Sequence, residues 1–556
     1  MPSTLAAAEP FTPEEARALD PYFGNTDSPV FVLTNLPEAV KGALFARYSR
    51  SAKSARRLFL DEFLGDVAPA GAPTGAGPGG ERAERLYTKV FNEYGDDSVA
   101  QLGGAHIACE GVSNVLTKVL ERGRLMSYLE QSTRYVPYTQ RPGGQWKYVV
   151  PGEIEDPDDR ALYVATLDRA FETYARWIEP LQAHYRIQFP RAPGDSEGVH
   201  RAAIRAKALD TLRGLLPAAT RSNVGIYGSG QAYEALLLRM RAHPLAESRE
   251  VADLMLPELR KVIPAFVQRV DRDDRGVAWS RYLEERNRRA RAVAGGTDRD
   301  TEWRRHLDPP ASGASDAEVA LTEFDPDGEA RVVAALLYAG SGLPYAQLLA
   351  AARAMPAEER VGIIRAGVGA RANRRQRPGR AFEQTAYTFD VLSDYGAFRD
   401  LQRHRMLTIE WQDLTPQHGF APPDPAVDAT GARSDWHAVM EASAALSERL
   451  ARRYSAVVAQ YAVAMAYRIR FQMRMNAREA MHVIELRTSP QGHPAYRRVS
   501  RRMHEQIAEQ AGHTAIAEAM RFIGRDDVDL ERLAAEKASE RKRLAQAPAA
   551  APGADG

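Results

Sequence analysis

Two short arginine groups are the most chemically suggestive residues in this 556-residue chain: Arg122-Gly123-Arg124 in its first half and Arg403-His404-Arg405 in its second. A guanidinium is permanently charged and presents a fork of donors matched to phosphate oxygens, so a pair of them at a helix end makes a seat for an anionic nucleotide. Ser127, Glu130, Ser132 and Arg134 follow the first group, where a turn adds hydroxyl and backbone donors. Asn476, Arg478, Glu479, His482 and Arg487 stand downstream of the second. An isolated Arg-x-Arg more often caps carbonyls at a helix C-terminus, so the weight rests on the fixed spacing of the whole set. Flanked by two arginines, His404 is a poor proton carrier, because neighbouring positive charge disfavours its protonated form. Cys109 is the only cysteine, which rules out a disulfide within the chain and suits a reducing compartment.

The segment from Arg122 to Tyr135 resembles the signature of flavin-dependent thymidylate synthases, R-H-R-x-x-S-x-N-E-x-S-x-R-Y. Arg122, Arg124, Ser127, Glu130, Ser132, Arg134 and Tyr135 match, while Gly123 replaces the histidine and Leu129 the asparagine. Glu110-Gly111-Val112-Ser113 is similar to the E-G-V-S that precedes the same helix in that family. The second copy keeps Arg403-His404-Arg405, preceded by Phe382-Glu383-Gln384 and Tyr387-Thr388-Phe389, but has Asp413 where the family has serine and Thr415-Pro416 in place of R-Y. Asn476-Ala477-Arg478-Glu479 with Leu486-Arg487 resembles the family's N-x-R-E and L-R pair, and Gly228-Ser229-Gly230 is its arginine-free counterpart in the first half. The last family arginine has only Arg501 or Arg502 as stand-ins.

The resemblance implies an α+β fold, helix-rich with short antiparallel strands such as Val30 to Leu33 and Trp146 to Val150. It implies FAD held by Arg122, Arg124, Arg403, His404 and Arg405, and dUMP held by Glu130, Ser132, Arg134 and Arg478. Ser132 and His404 would be the catalytic candidates, and no metal is called for. The implied reaction is reductive methylation of dUMP to dTMP, with methylenetetrahydrofolate as carbon donor and NADPH as reductant of the flavin. The first copy keeps the Ser132–Arg134 loop and the second keeps Arg403–Arg405 and Arg478, so complementary losses suggest composite sites. The family assembles its sites in a homotetramer, which for a two-copy chain becomes a homodimer, a pseudo-tetramer of modules. The alternative is a catalytically degenerate homologue that still binds flavin and a uridine nucleotide.

Each arginine group must be positioned by a helix. Val112, Val115, Leu116, Val119 and Leu120 fall at helical spacing before Arg122, and Val391, Leu392, Tyr395, Phe398 and Leu401 do so before Arg403. Long amphipathic helices follow, through Leu167, Phe171, Tyr174, Ile178 and Leu181 and through Leu446, Leu450, Tyr454 and Val458. Both are expected to close alike, at Tyr185-Arg186-Ile187-Gln188-Phe189 and Tyr467-Arg468-Ile469-Arg470-Phe471, 61 residues past Arg124 and 62 past Arg405. Such repetition marks an internal duplication, with roughly thirty extra residues in the first copy between Pro190 and Leu216. One module spans 22–290, with a flexible loop at 67–80, a second spans 315–530, and 531–556 is a polar, Ala/Pro-rich tail.

Hydrophobic residues at 44% and charged ones at 26% describe a globular chain rather than a disordered one. The 74 Lys and Arg nearly cancel the 73 Asp and Glu, which with no stacking-aromatic pattern argues against nucleic acid as partner. The N-terminus lacks the apolar core of a signal peptide and no run approaches a membrane span, so a cytoplasmic location without membrane contact is expected.

Overall fold

The computed structural model describes residues 9–48, 51–66, 101–295 and 317–546, apart from 527, 529 and 531. The stretch 67–80 lies outside the described residues. The chain forms two compact units that cut across its halves. Met1–Glu110, Val119–Glu130 and Ser222–Leu307 make the first, and Gly111–Lys118, Gln131–Arg221 and Asp308–Gly556 the second.

The fold is α+β, with helices dominating over small antiparallel sheets. The first unit is built on a three-stranded sheet of β1 (Gly104–Ser113), β3 (Arg221–Ser229) and β2 (Met126–Glu130), in that order. β2 and β3 pair antiparallel from Met126 opposite Gly228 to Glu130 opposite Val224. The second unit contains a four-stranded sheet ordered β4 (Val319–Phe324), β5 (Ala386–Asp394), β7 (Arg468–Asn476) and β6 (Thr408–Trp411). β5 is buried along nearly its whole length because helices cover it, so its run of apolar residues lacks a two-residue period.

That burial corrects two sequence readings. Val391 and Leu392 belong to β5 and Val112 to β1; the helices before the arginine groups are Tyr395–Gln402 and Asn114–Leu120. Segments 30–33 and 146–150 are not strands; each holds one isolated bridge, Phe23 with Leu33 and Tyr148 with Thr220.

A third correction concerns register. Tyr185-Arg186-Ile187-Gln188 closes the helix Pro157–Gln188, whereas Arg468-Ile469-Arg470-Phe471 opens β7. The similar wording is local coincidence. The true counterpart of β7 is β3: both run nine residues from an arginine to a polar residue, Ser229 or Asn476, that caps the next helix. Ser229 accepts from Ala232 N at 3.4 Å and Asn476 from Glu479 N at 2.9 Å.

This alignment offsets the copies by 247 residues, from Arg221 to Arg468, and exposes a symmetry inside the second unit. Ala218 N donates to Val463 O at 2.8 Å and Met465 N to Leu216 O at 2.9 Å; Ala219 N donates to Tyr461 O and Ala466 N to Gly214 O, each at 3.0 Å. Adding or subtracting 247 converts each bond into its mate. Equivalent segments of the two copies thus pair with one another about a pseudo-twofold axis, as in an isologous interface. Beside this seam the long helices Pro157–Gln188 and Arg433–Arg453 pack together, and Asp159 receives Arg449 at 2.5 Å and Tyr454 at 2.9 Å.

The segment read as a tail also differs. Leu533–Gln546 is a helix held by polar contacts, Lys537 to Asp195 at 2.7 Å and Ser196 to Glu540 at 2.6 Å, which explains its lack of an apolar stripe. No helix of the described residues is long and apolar enough to cross a membrane.

Candidate functional site

Asp394 caps the Tyr395–Gln402 helix by accepting from Ala397 N at 2.9 Å, and the helix delivers Asp400, Arg403 and His404 from its last turn and the residues after it. Asp400 receives Arg403 Nη2 and, at 3.3 Å, Arg487 Nη1; Arg487 Nη2 also donates to its carbonyl. Burial alone would raise the Asp400 carboxyl, but Arg403, Arg487, Arg213 and Arg134 hold it far below the ordinary carboxylate range. Gly396 permits this assembly, since a Cβ there would stand 3.0 Å from the Arg213 guanidinium carbon.

A second carboxylate, Asp210, lies beside the first. The helix Glu197–Leu212 brings it to 2.7 Å from Arg134 Nη2, 3.4 Å from Arg213 Nε and 3.8 Å from His493 Nε2. Burial works against its charge, yet Arg134, His493 and Arg213 keep its pKa lowered. His493 Nδ1 accepts from Ala495 N at 3.1 Å, which leaves the proton on Nε2, facing Asp210. Burial, then Arg213, depresses His493 to about 3, so the ring is neutral. Arg134 also donates to Gln491 O at 3.0 Å. Arg213 Nη2 is buried without a hydrogen-bond partner among the described residues. A buried guanidinium donor that lacks an acceptor suits an anionic ligand.

Beyond this cluster lies a second cationic region. His404 is buried, and Arg487 Nε donates to its Nε2 at 2.9 Å; its Nδ1 faces Glu479 Oε1 at 3.7 Å. Burial, then Arg487, His482 and Arg403, push its pKa well below 6.5, so it is uncharged. Its ring meets that of His482 edge-on at 5.4 Å, and His482 Nδ1 accepts from Arg377 at 2.8 Å. Burial raises Glu479 to about 7 against the pull of Arg377, Arg478 and Arg405. His404, Glu479 and His482 can bring ligand atoms within 4.8 Å of one another. The arginines on both imidazoles and around Glu479 oppose a metal cation there and favour an anion.

Among the residues singled out from sequence, Ser132, Arg134, Arg403, His404, Arg405 and Arg478 fall in the second unit. Ser132 Oγ accepts from Arg134 N at 3.3 Å, shaping the turn that aims Arg134. Arg478 does not join Arg134. It donates to Pro378 O at 2.9 Å and faces Glu383 at 3.5 Å, at the opposite end of the helix Ala477–Arg487 from Arg487. At 1.5 Å rise per residue their backbones are roughly 14 Å apart along the axis, and the two guanidiniums have different partners. Arg501 and Arg502 are engaged elsewhere, with Gly524 O and Glu505. Arg213, Asp210, Asp400, Arg377 and Arg374, whose charge acts with that of Arg377 on His482, were not identified from sequence. Arg213 precedes Leu216-Pro217 just before β3, and aligning β3 with β7 would have drawn attention to it.

Arg122, Arg124 and Glu130 belong to the first unit, where both arginines are exposed and Glu130 is buried. There the place of the family histidine is closed: a Cβ on Gly123 would come within 2.6 Å of the Tyr128 hydroxyl, which donates to Gly123 O at 3.1 Å. Phe266 similarly fills the space over Gly230, at 2.4 Å from a would-be Cβ. The first copy has therefore packed its own side chain where the second presents His404, and on the β3–β7 alignment Gln231 stands opposite Arg478.

Comparison with known proteins agrees with the duplication. The family described as thymidylate synthase complementing protein matches residues 44–265 and again residues 323–512. A UPF0159 protein of Chlamydia pneumoniae is 35% identical over 549 residues, covering 96% of this chain and 99% of the relative. A flavin-dependent thymidylate synthase of Clostridium tetani is 28% identical over 200 residues, 35% of this chain and 74% of the relative. A crystal structure of the UMP/dUMP methylase PolB from Streptomyces cacaoi aligns with a TM-score of 0.30 at 21% identity, over 38% of this chain and 97% of that one.

Proposed function

Because the chain belongs to the flavin-dependent thymidylate synthase family and holds two copies of its module, we propose that it binds FAD and dUMP and forms dTMP, with methylenetetrahydrofolate and NADPH as co-substrates. The observation that supports this reading most is the gathering of Arg134 and Arg213 from the first copy with Arg403 and Arg487 from the second around Asp400. Sequence-distant guanidiniums converge where one, Arg213, still has a donor to give.

In this reading Arg134, Arg213 and Arg487 hold the nucleotide phosphate, with Ser132 fixing the turn of Arg134. Arg405, Arg374, Arg377 and Arg478 form the cationic rim that suits a dinucleotide diphosphate, and neutral His404 and His482 offer flat walls beside it. Bound FAD, once reduced by NADPH, would supply the hydride that completes the methyl group. The chain's residues contribute orientation and charge stabilisation. His404, uncharged and hydrogen-bonded at Nε2, is a positioning group rather than an acid. The working protein would be a cytoplasmic homodimer.

The alternative, a flavin- and nucleotide-binding homologue without turnover, draws on the closed histidine position at Gly123 and the two carboxylates among the arginines. One experiment separates the two: the purified protein is reduced with NADPH and given dUMP and methylenetetrahydrofolate. Formation of dTMP with flavin reoxidation is expected; dUMP binding without dTMP would establish the alternative. Light scattering at micromolar concentration would test the dimer.

A further inference from the structure

A closed ring of contacts runs through Arg134, and its last link comes from the C-terminal segment. Arg134 Nη2 ties its own turn to the helix Glu197–Leu212 through Asp210 at 2.7 Å. The next residue, Tyr135, has the Arg532 guanidinium over its ring, 4.0 Å from the centroid. Arg532 immediately precedes the helix Leu533–Gln546, which packs on Glu197–Leu212. There Lys537 reaches Asp195 at 2.7 Å, and Glu540 receives Ser196 Oγ at 2.6 Å while that oxygen caps the helix by accepting from Val199 N at 3.2 Å. The contacts thus pass from Tyr135 through Arg532 to the helix that carries Asp210, and back to Arg134. The same segment is anchored at its other end: Phe522 N donates to Glu485 Oε1 at 3.3 Å and Gly524 N to Thr488 Oγ1 at 3.1 Å, where the helix presenting Arg487 stops. A Cβ on Gly524 would stand 2.1 Å from Thr488 O, so this close approach requires glycine. All of these strap residues follow the stretch 323–512 that the family matches.

Resting on the nucleotide-binding reading above, we propose that Arg532 is a positioning residue: stacked on Tyr135, it clamps the Ser132–Arg134 turn and holds Arg134 ready for a nucleotide phosphate. Its other polar contacts are local. Nη2 donates to Glu536 one turn on at 3.2 Å, and Nε is buried without a hydrogen-bond partner among the described residues. Burial lowers the Arg532 pKa against the Glu536 hydrogen bond, and the nearby charge of Arg134 adds to the lowering. A cation in that position needs a compensating contact, and the negative face of the Tyr135 ring provides one. The turn itself is closed only by short-range bonds, Tyr135 N and Val136 N to Ser132 O at 3.2 and 3.3 Å and Arg134 N to Ser132 Oγ at 3.3 Å. Such a turn opens easily unless something packs on it. An arginine ordered in advance loses less conformational entropy when the anion arrives, and affinity gains by that amount.

The test uses the full-length, FAD-loaded protein and two full-length variants with folding checked by circular dichroism. Arg532→Met keeps the length of the side chain and removes its charge; Lys537→Ala with Glu540→Ala loosens the helix that carries Arg532. Hydrogen–deuterium exchange at the amides of Arg134, Tyr135 and Val136 should quicken about tenfold or more in both variants, with β7 unchanged. Calorimetry should show dUMP binding weakened about three- to tenfold, within the range of a desolvated cation–aromatic contact. In an Arg134→Ala background, Arg532→Met should weaken dUMP no further, because its effect passes through Arg134; a merely structural role would add to the loss. Wild-type exchange in either folded variant, unchanged dUMP affinity beside quickened exchange, or additive losses in the double variant overturns the proposal. If the wild type binds no dUMP, the nucleotide reading itself fails and takes the positioning role with it, and exchange at the turn still shows whether Arg532 clamps it.

Discussion

Arg487 donates from Nε to His404 Nε2 across 2.9 Å, although 83 residues separate the two in sequence. The same guanidinium reaches Asp400 with Nη1 at 3.3 Å. One side chain therefore joins the neutral histidine wall to the anion cluster, and its planar fork suits that double task better than a lysine could.

Removing Arg134 or Arg487 should weaken dUMP binding on the order of ten- to a hundredfold, the usual cost of about 1.5 to 3 kcal/mol for a lost charge-assisted contact. Bound FAD should largely survive in Arg134→Ala. Arg478→Ala, at the far end of its helix, should change dUMP affinity by less than threefold, the scale of an indirect effect of about 0.6 kcal/mol. Titration followed by flavin absorbance distinguishes these cases. Wild-type dUMP affinity in Arg134→Ala would reduce the first copy to scaffold.

Replacing Arg403 and Arg405 together with alanine should give a colourless protein as purified, with folding checked by circular dichroism. Unchanged flavin content in that variant would refute their assignment to FAD.

Cys109 is buried and its thiol is raised to about 11 by that burial. At pH 8 only about one molecule in a thousand would carry the thiolate. Ellman's reagent should react slowly with the native protein and stoichiometrically in denaturant. Fast native labelling would show that the thiol is accessible and would reopen a role for it as a nucleophile.

Burial raises Glu479 to about 7 from 4.5. The folded state therefore holds its proton more tightly than the unfolded state, so the stabilisation is full below pH 4.5 and is lost as pH rises towards 7. In Glu479→Gln this dependence disappears. Urea unfolding from pH 4.5 to 7.5 should show wild type losing stability relative to the variant, and parallel curves would contradict the shifted carboxyl.

The parts of the site that were legible in sequence share one property: they are local. Arg403-His404-Arg405 and the Ser132–Arg134 turn are read from adjacent residues, and the duplication from order alone. Asp210 acts through contacts with Arg134 and His493, 76 residues before it and 283 after, and Arg213 through Asp210, and no spacing announces such partners. The confusion of Tyr185-Arg186-Ile187 with Tyr467-Arg468-Ile469 has the same origin. An identical triplet ends a solvent-facing helix in one place and enters a central strand in the other, because pairing with β5 decides the second case. The helix Leu533–Gln546 escaped notice because polar contacts rather than an apolar face hold it.

The symmetric seam sets a timetable for synthesis. Ala218 and Leu216 find their partners in Val463 and Met465, so about 245 residues must be made before either bond can form. At roughly 5 to 20 residues per second a ribosome needs some 12 to 50 seconds for that stretch. During that interval the backbone donors and acceptors of the first copy stand open. A nascent first half from another ribosome on the same message offers an equivalent edge, since the two segments are related by the pseudo-twofold. Pausing or truncation within the second half would therefore favour pairing between chains, and cells would meet that hazard as aggregation of incomplete polypeptides.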